Sequence, residues 1–478
     1  MTATLAPLLL SFPTVQTAAP FEVTQELLDA ALAAARPAVE KELGHPLDAG
    51  FAGVRVGTEA EIRDAVMREN APILGAIFGE ELGRAQAEAF ADTLAPALLA
   101  KYAFETRTIL VSPEGLRRNA ELLELPELES AAVVSAVVVH ELVHADDVPR
   151  QAFAARCREL ADPDRIQALN AVLEGHAQHV ARRVCAKLDN TAGFELFTRA
   201  ISAEMPAAAE AGEGVRLLQR VQREAFGALY IAGERFVAAV EAKSARPGID
   251  RAFREPPRDM AEIHRPEWYL EPGLRPATRL LLERALDAFD AEYKERGWTG
   301  QRTTLDAGQL ATAFAGFEEA AIERIRAALV RGRVLQISSP DRSAMHYALA
   351  GEWSSAADAA FVLEASEALL RRRDEDMKEG AIRILSAVYE PVREPDFAGV
   401  YAKKHMQAYG QEVEVAALVL AQGPLTLELL RSGEPGTKED FLALARRLLA
   451  AAVAPEAPAK APEAPKPPGT GTGGGDGG

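Results

Sequence analysis

The run His140-Glu141-Leu142-Val143-His144 sets two imidazoles four positions apart with a carboxylate between them. On a helix, side chains at i and i+4 lie on nearly one face, with Cβ atoms about 5–6 Å apart. Two rings so placed can share one metal ion. The carboxylate, one step round, can reach a water on that metal without binding the metal itself. Zinc asks for this set: two neutral nitrogens, a third protein ligand, an open position for water and a nearby base. His140 and His144 are therefore candidate Zn²⁺ ligands, and Glu141 is a candidate general base. With 8 histidines in 478 residues, a chance HExxH is about a one per cent event by composition, so the motif is specific.

That chemistry dictates the element that carries it. As a strand, the segment would hold the two histidines about 13 Å apart, at roughly 3.3 Å per residue, too far for one ion. Val133, Val134, Val137, Val138 and Val139 favour a strand, and periodicity alone does not separate the two forms. Ser130 as an N-cap and Pro149 as a stop favour a helix. A helix apolar all round belongs inside a domain.

A second helix is predicted from Asp162-Pro163 to about Leu188, and it should bring the third ligand. Leu169, Val172, Leu173, Ala177, Val180 and Val184 mark its buried stripe, and Glu174 flanks it. A buried carboxylate is costly unless paired or metal-bound, and Gly175 beside it permits close helix approach. Glu174 is the candidate third ligand, with His176 and His179 as alternatives. His176 lies about 200° round from Glu174, so the two do not face one ion. Asp146 and Asp147 follow the motif, either to orient a ligand histidine or to end the helix in solvent.

Composition bounds the rest. A net charge of −18 and few aromatics argue against nucleic acid or an anionic membrane as partner. Two cysteines, Cys157 and Cys185, imply no disulfide framework and read as buried thiols. No apolar run is long enough for a transmembrane helix. Leu5 to Phe12 is apolar, but no basic residue precedes Arg36, so a secretion signal is disfavoured and the cytoplasm is favoured over a secreted or periplasmic location.

The fold class expected is α+β, mostly α-helical, with a small C-terminal α/β subdomain. Residues 1–22 read as a flexible leader, 23–270 as the metal-bearing domain, 271–453 as a helical and α/β part, and 454–478 as a disordered Pro/Ala/Gly-rich tail. Thr24 to Leu43, Glu213 to Lys243, 273–296, 305–331, Ser354 to Arg373 and Thr437 to Val453 read as helices, and Gly79 to Lys101 as an Ala-rich helix. Thr58 with Glu61 makes a capping box, and Ser112-Pro113 opens another helix. Phe51 to Val56, Thr106 to Val111, Val334 to Ile337, His346 to Ala350 and Val413 to Leu420 read as strands.

HELVH followed by a helix bearing Glu174-Gly175-His176-Ala177 resembles the gluzincin zinc metallopeptidases, over about residues 100–190. The 29 residues between His144 and Glu174 exceed the thermolysin-like spacing, so no individual peptidase family is assigned. The resemblance implies a zincin-like core with a buried active-site helix, Zn²⁺ held by two His and a downstream Glu, and peptide or protein substrates. It gives Glu141 the role of polarising the zinc water. It implies an edge strand that pairs with extended substrate, for which Leu110 to Ser112 is the candidate. It also implies a His or Tyr that donates to the developing oxyanion, with His264 first and Tyr269 second, both in the loop Pro256 to Leu270. The alternative function is a zinc-binding but non-catalytic scaffold or interaction protein of the same fold.

Overall fold

The computed structural model describes residues 21–160, 162–202, 223–275, 281–305, 314, 317–341, 343–376, 382–408 and 411–453. Almost all of the expected leader and the whole Pro/Ala/Gly-rich tail lie outside them. The chain is mixed α+β and mostly helical. It divides into two compact units, Met1–Pro276 with Thr303–Arg331, and Ala277–Arg302 with Gly332–Gly478. Among the described residues no helix is long and apolar enough to cross a membrane.

In the first unit, local sequence signals start the helices where expected. Thr24 caps α1 (Gln25–Leu43), and Thr58 and Glu61 form a reciprocal capping box on α2 (Glu59–Phe78). The next helix, α3, is Glu80–Leu94. Beyond it the chain departs from the expected long helix. Pro96 interrupts, and Ala100–Ala103 forms the short strand β2. With β1 (Gly53–Val56) and β3 (Thr108–Val111) it makes a three-stranded sheet in the order β1-β3-β2. β1 runs parallel to β3, and β2 antiparallel. Leu110 and Val111 therefore sit in the central strand, with both edges taken. Leu110–Ser112 is not the open edge expected; among the described residues the edge strands of this sheet are β1 and β2.

Ser112 caps α4 (Pro113–Leu122), and Ser130 caps α5 (Ala131–Arg150), accepting from the Val133 amide. Helix thus wins over strand for the valine-rich run. Five β-branched residues cost about 2–3 kcal/mol of helix propensity relative to alanine. All five are at most 1% exposed, and burying a valine is worth about 1.5 kcal/mol or more, so packing outweighs propensity. Pro149 falls in the last turn of α5 rather than stopping the helix ahead of it. Next come α6 (Phe153–Leu160), α7 (Pro163–Lys187, capped by Asp162) and α8 (Thr191–Ser202). A π-helical stretch, Arg223–Ala232, leads into α9 (Gly233–Arg254). The short helices α10 (Met260–His264) and α11 (Pro266–Leu270) complete the series. One apolar core joins the buried faces of α1, α5, α7, α8 and α9.

The second unit is built on a seven-stranded sheet in the order β4-β5-β6-β10-β9-β8-β7. The strands are β4 (Thr299–Leu305), β5 (Leu329–Ser338), β6 (Met345–Trp353), β7 (Ile382–Arg393), β8 (Ala398–Ala408), β9 (Gln411–Gln422) and β10 (Leu425–Ser432). The expected strands at 334–337, 346–350 and 413–420 fall inside β5, β6 and β9. Its helices are α12 (Leu282–Lys294), α14 (Ala356–Asp376) and α15 (Lys438–Val453), while α13 (Glu319–Ala328) falls in the first unit. α12 and α15 bury Leu286, Phe289, Phe441 and Leu448 in one core with the sheet.

Candidate metal centre

α5 and α7 lie side by side and turn three donor atoms toward one point. His140 Nε2 is 3.1 Å from His144 Nε2 and 3.3 Å from Glu174 Oε2, and His144 Nε2 is 3.2 Å from the same oxygen. A tetrahedral ion with ligands at about 2.0 Å separates them by about 3.3 Å. The triangle is thus the face of a zinc-sized tetrahedron, and these donors, two imidazoles and a carboxylate, fit that ion. Glu141 lies close by, and one donor atom from each of His140, Glu141 and His144 falls within 4.8 Å of the others. Its Oε2 accepts from the Tyr102 amide of β2 at 2.7 Å, which holds the carboxylate beside the triangle. His140 and His144 are almost fully buried.

The charges of the cluster are mutually dependent. Burial opposes ionisation of Glu174, yet His144 and His140 hold its carboxyl far below the usual range. Burial opposes the charged form of His144, but Glu174 raises it overall. The Nδ1 atoms of His140 and His144 are buried and have no hydrogen-bond partner among the described residues. The rings are oriented by packing. Phe197 meets His140 edge-on at 5.3 Å between centroids, and Tyr230 stacks on it at 5.4 Å and 20°.

Tyr230 is the residue that sequence reading missed. It lies on the π-helical stretch, and its hydroxyl bonds to Glu174. Burial first, and then the carboxylates of Glu174 and Glu141, push its phenol well above the ordinary value, so it is a neutral hydrogen-bond donor. A glycine pair places it there. A Cβ on Gly175 would stand 2.1 Å from the Gly233 carbonyl carbon, and one on Gly233 would stand 2.2 Å from the Ala171 oxygen. α7 and α9 therefore cross backbone to backbone, one residue beyond Glu174 and three beyond Tyr230. The close approach foreseen from Gly175 is real, but its partner is the helix that follows Tyr230.

The remaining sequence candidates fall elsewhere. His264 ends α10 and is not part of the His140–Glu141–His144 group. The Tyr269 hydroxyl donates to the Glu255 carbonyl at 3.1 Å, and its ring packs on Phe236. His179 pairs with Glu241. His176 turns away from the triangle to Asp147, which α5 carries three residues past His144. Asp146 and Asp147 do not end α5 in solvent, being 2% and 0% exposed, and the histidine that Asp147 engages is not one of the three donors. Cys157 and Cys185 are free and buried, and burial pushes both thiols up to about 12.

No protein-family model matches this chain, and no curated protein does. Among solved structures the chain is similar to a protein from Chloroflexus aurantiacus described as "a putative hydrolase with a novel fold". The identity is 20%, the TM-score is 0.37, and the match covers 54% of this chain and 94% of that one. A likeness that distant carries no argument about activity, which has to come from the site itself.

Beside the triangle is a cavity of about 20 Å³, room for one water molecule. Glu141, Tyr230 and Asn119 give it polar groups, and Leu98, Leu99, Val137, Phe197 and Ile201 give it apolar walls. Among the described residues, the arrangement combines three donor atoms spaced as a metal ion would need, a carboxylate bonded to the Tyr102 amide beside them, a neutral phenol and space for a water.

Proposed function

We propose that this chain is a zinc-dependent hydrolase acting on peptide bonds. The observation that carries the reading is the triangle of His140, His144 and Glu174 donors, with Glu141 held beside it by the Tyr102 amide. A bound zinc ion supplies Lewis acidity and lowers the pKa of a coordinated water to near 7. His140, His144 and Glu174 bind that ion. Glu141 takes the proton from the attacking water and returns it to the leaving amine. Tyr230, kept protonated, donates to the carbonyl oxygen as it gains charge; His264 is the other candidate for that role, on resemblance alone.

A second reading, a zinc-binding scaffold without catalysis, is favoured by one observation. The cavity has room for one water but not for a peptide residue. Glu141→Gln separates the two. The hydrolase reading expects wild-type protein to cleave a denatured substrate in a chelator-sensitive way. It expects the variant to bind one zinc as tightly and to cleave nothing. Cleavage that survives in the variant removes Glu141 from the mechanism, and inactivity of the zinc-loaded wild type favours the scaffold.

A further inference from the structure

The donor triangle needs α5 and α7 in one relative rotation, and nothing behind the two imidazoles supplies it, since neither Nδ1 atom has a partner among the described residues. A second cluster, one step along both helices, does. Asp147 is three residues past His144, and His176 is two past Glu174. The His176 Nδ1–H donates to Asp147 Oδ2 at 2.5 Å, and both residues are almost wholly buried. On the other side of the ring, Arg246 Nη1 donates to His176 Nε2 at 3.2 Å. Those two bonds fix the tautomer, with the hydrogen on Nδ1. Arg150 adds a contact to Asp147 at 3.5 Å.

Two tethers on opposite sides of one helix do what one does not. Glu174 and His176 leave α7 about 200° apart. A roll of α7 that carries Glu174 toward the histidines carries His176 away from Asp147, and the reverse. Only one rotation satisfies both. The third helix is locked to the same point. α9 breaks at Ala245, which has φ of 49° and ψ of −157°. Pro247 explains the break, because it has no N–H to continue the ladder. Arg246 lies at that break, where it reaches His176 and, at 3.9 Å, Asp250.

We infer that Asp147, His176 and Arg246 are positioning residues for the metal centre: a clasp across α5, α7 and α9 that sets Glu174 in register with His140 and His144 before any ion binds. The inference rests on the metal reading above. It does not require that the protein be catalytic.

The test is zinc affinity of the folded protein, measured by competition with a chelating indicator, alongside the melting point of the metal-free form. His176→Leu removes both bonds. It is expected to weaken zinc binding about 10-fold or more, on the scale of losing a group that orients a metal ligand, here through the rotation of α7 rather than by a direct bond. His176→Asn keeps an N–H near the Nδ1 position and is expected to recover most of that loss. The cobalt-loaded His176→Leu protein is expected to show a weakened tetrahedral absorption band, and the His176→Asn protein a restored one. A merely structural role would lower the melting point and leave the dissociation constant unchanged, and that result overturns the inference. Should His176→Leu fail to fold, Arg246→Met carries the test from a partly exposed position, with a loss of three-fold or more expected and none refuting. Failure of the wild type to bind zinc overturns the metal reading, and this inference with it. Tight binding by wild type and His176→Leu alike overturns this inference alone.

Discussion

Alanine at Gly175 tests how the site is assembled. Its Cβ would lie 2.1 Å from the Gly233 carbonyl carbon, 2.3 Å from that carbonyl oxygen and 2.7 Å from the Glu234 nitrogen. All three are backbone atoms of α9, so no side-chain rotation relieves the clash. Carbon atoms rest about 3.5 Å apart or more, so α9 must retreat by about 1.4 Å where it crosses α7. Overpacking of this kind costs about 1–3 kcal/mol, and a contact between main chains belongs at the upper end. Alanine recovers about 1 kcal/mol over glycine in helix propensity. A net loss of about 2 kcal/mol is expected. The strain falls on two helices only, so the assay is hydrogen exchange of amides in α7 and α9, compared with those in the second unit. Protection should fall about 30-fold in the first set and not in the second. Tyr230, three residues ahead of Gly233, should move off Glu174. Protection that is unchanged or raised, as propensity alone would give, refutes the backbone crossing and with it the account of how Tyr230 is delivered.

Two further outcomes follow from named groups. Tyr230→Phe keeps the ring stacked on His140 but removes the hydroxyl; turnover should fall about 100-fold with zinc affinity within about three-fold, and a larger loss in His264→Ala would move the oxyanion role there. His346, in the second unit, is buried against Tyr293 and Trp298, and burial, reinforced by Arg431, lowers its pKa from 6.5 to about 4. Because the unfolded chain takes the proton more readily, this neutral histidine contributes its full stability above about pH 6.5 and loses it as pH falls toward 4. The loss is about 2 kcal/mol at pH 5 and about 3 kcal/mol at its limit. Urea unfolding of the second unit at pH 7.5 and 5.0 should show this loss in the wild type and not in His346→Leu, and equal losses in both would remove His346 as the cause.

What was legible in the sequence was local. Ser130, Thr58 with Glu61, and Asp162-Pro163 announce helix starts through side-chain oxygens that bond amides two or three residues on, and the structure has those bonds. The HExxH spacing required a helix, and α5 is one. Glu174 is preferred because it flanks the buried stripe beside Gly175, the angle saying only that it and His176 do not share one ion, and in the structure His176 faces Asp147. What was not legible depended on distant partners. β2 has four residues, AKYA, too few to show a period, and it exists because β3 offers it an edge. β7 and β8 escaped because β7 is an edge strand whose Leu385 and Val388 are exposed, so apolar positions do not mark an inner face. Tyr230 escaped for a different reason. Gly175 announced that some helix comes close, and only one with a small residue at the contact could do so. The predicted helix Glu213 to Lys243 contains Gly233, and Tyr230 stands one turn before it. That pairing of glycines was the available signal.

The small cavity and the placement of Glu141 pull in opposite directions, and their physical requirements decide between the two functions. A purely structural zinc site closes its tetrahedron with protein atoms. Among the described residues His140, His144 and Glu174 bring three donor atoms within 3.3 Å of one another, and Glu141, close to both histidines, spends one oxygen on the Tyr102 amide. A carboxylate 8% exposed is costly to bury unless it is paired or bound, and under the hydrolase reading its service as a base offsets that cost. The cavity argues less strongly, because it measures the resting state. It has room for the one water that a hydrolysis would use, and its apolar walls are side chains of Leu98, Leu99, Phe197 and Ile201, which turn about single bonds far more easily than a helix shifts. Enlarging it without touching any donor, by Ile201→Ala, therefore discriminates. The hydrolase reading expects faster cleavage of bulky peptides at unchanged zinc affinity, whereas a scaffold gains no activity from the added space.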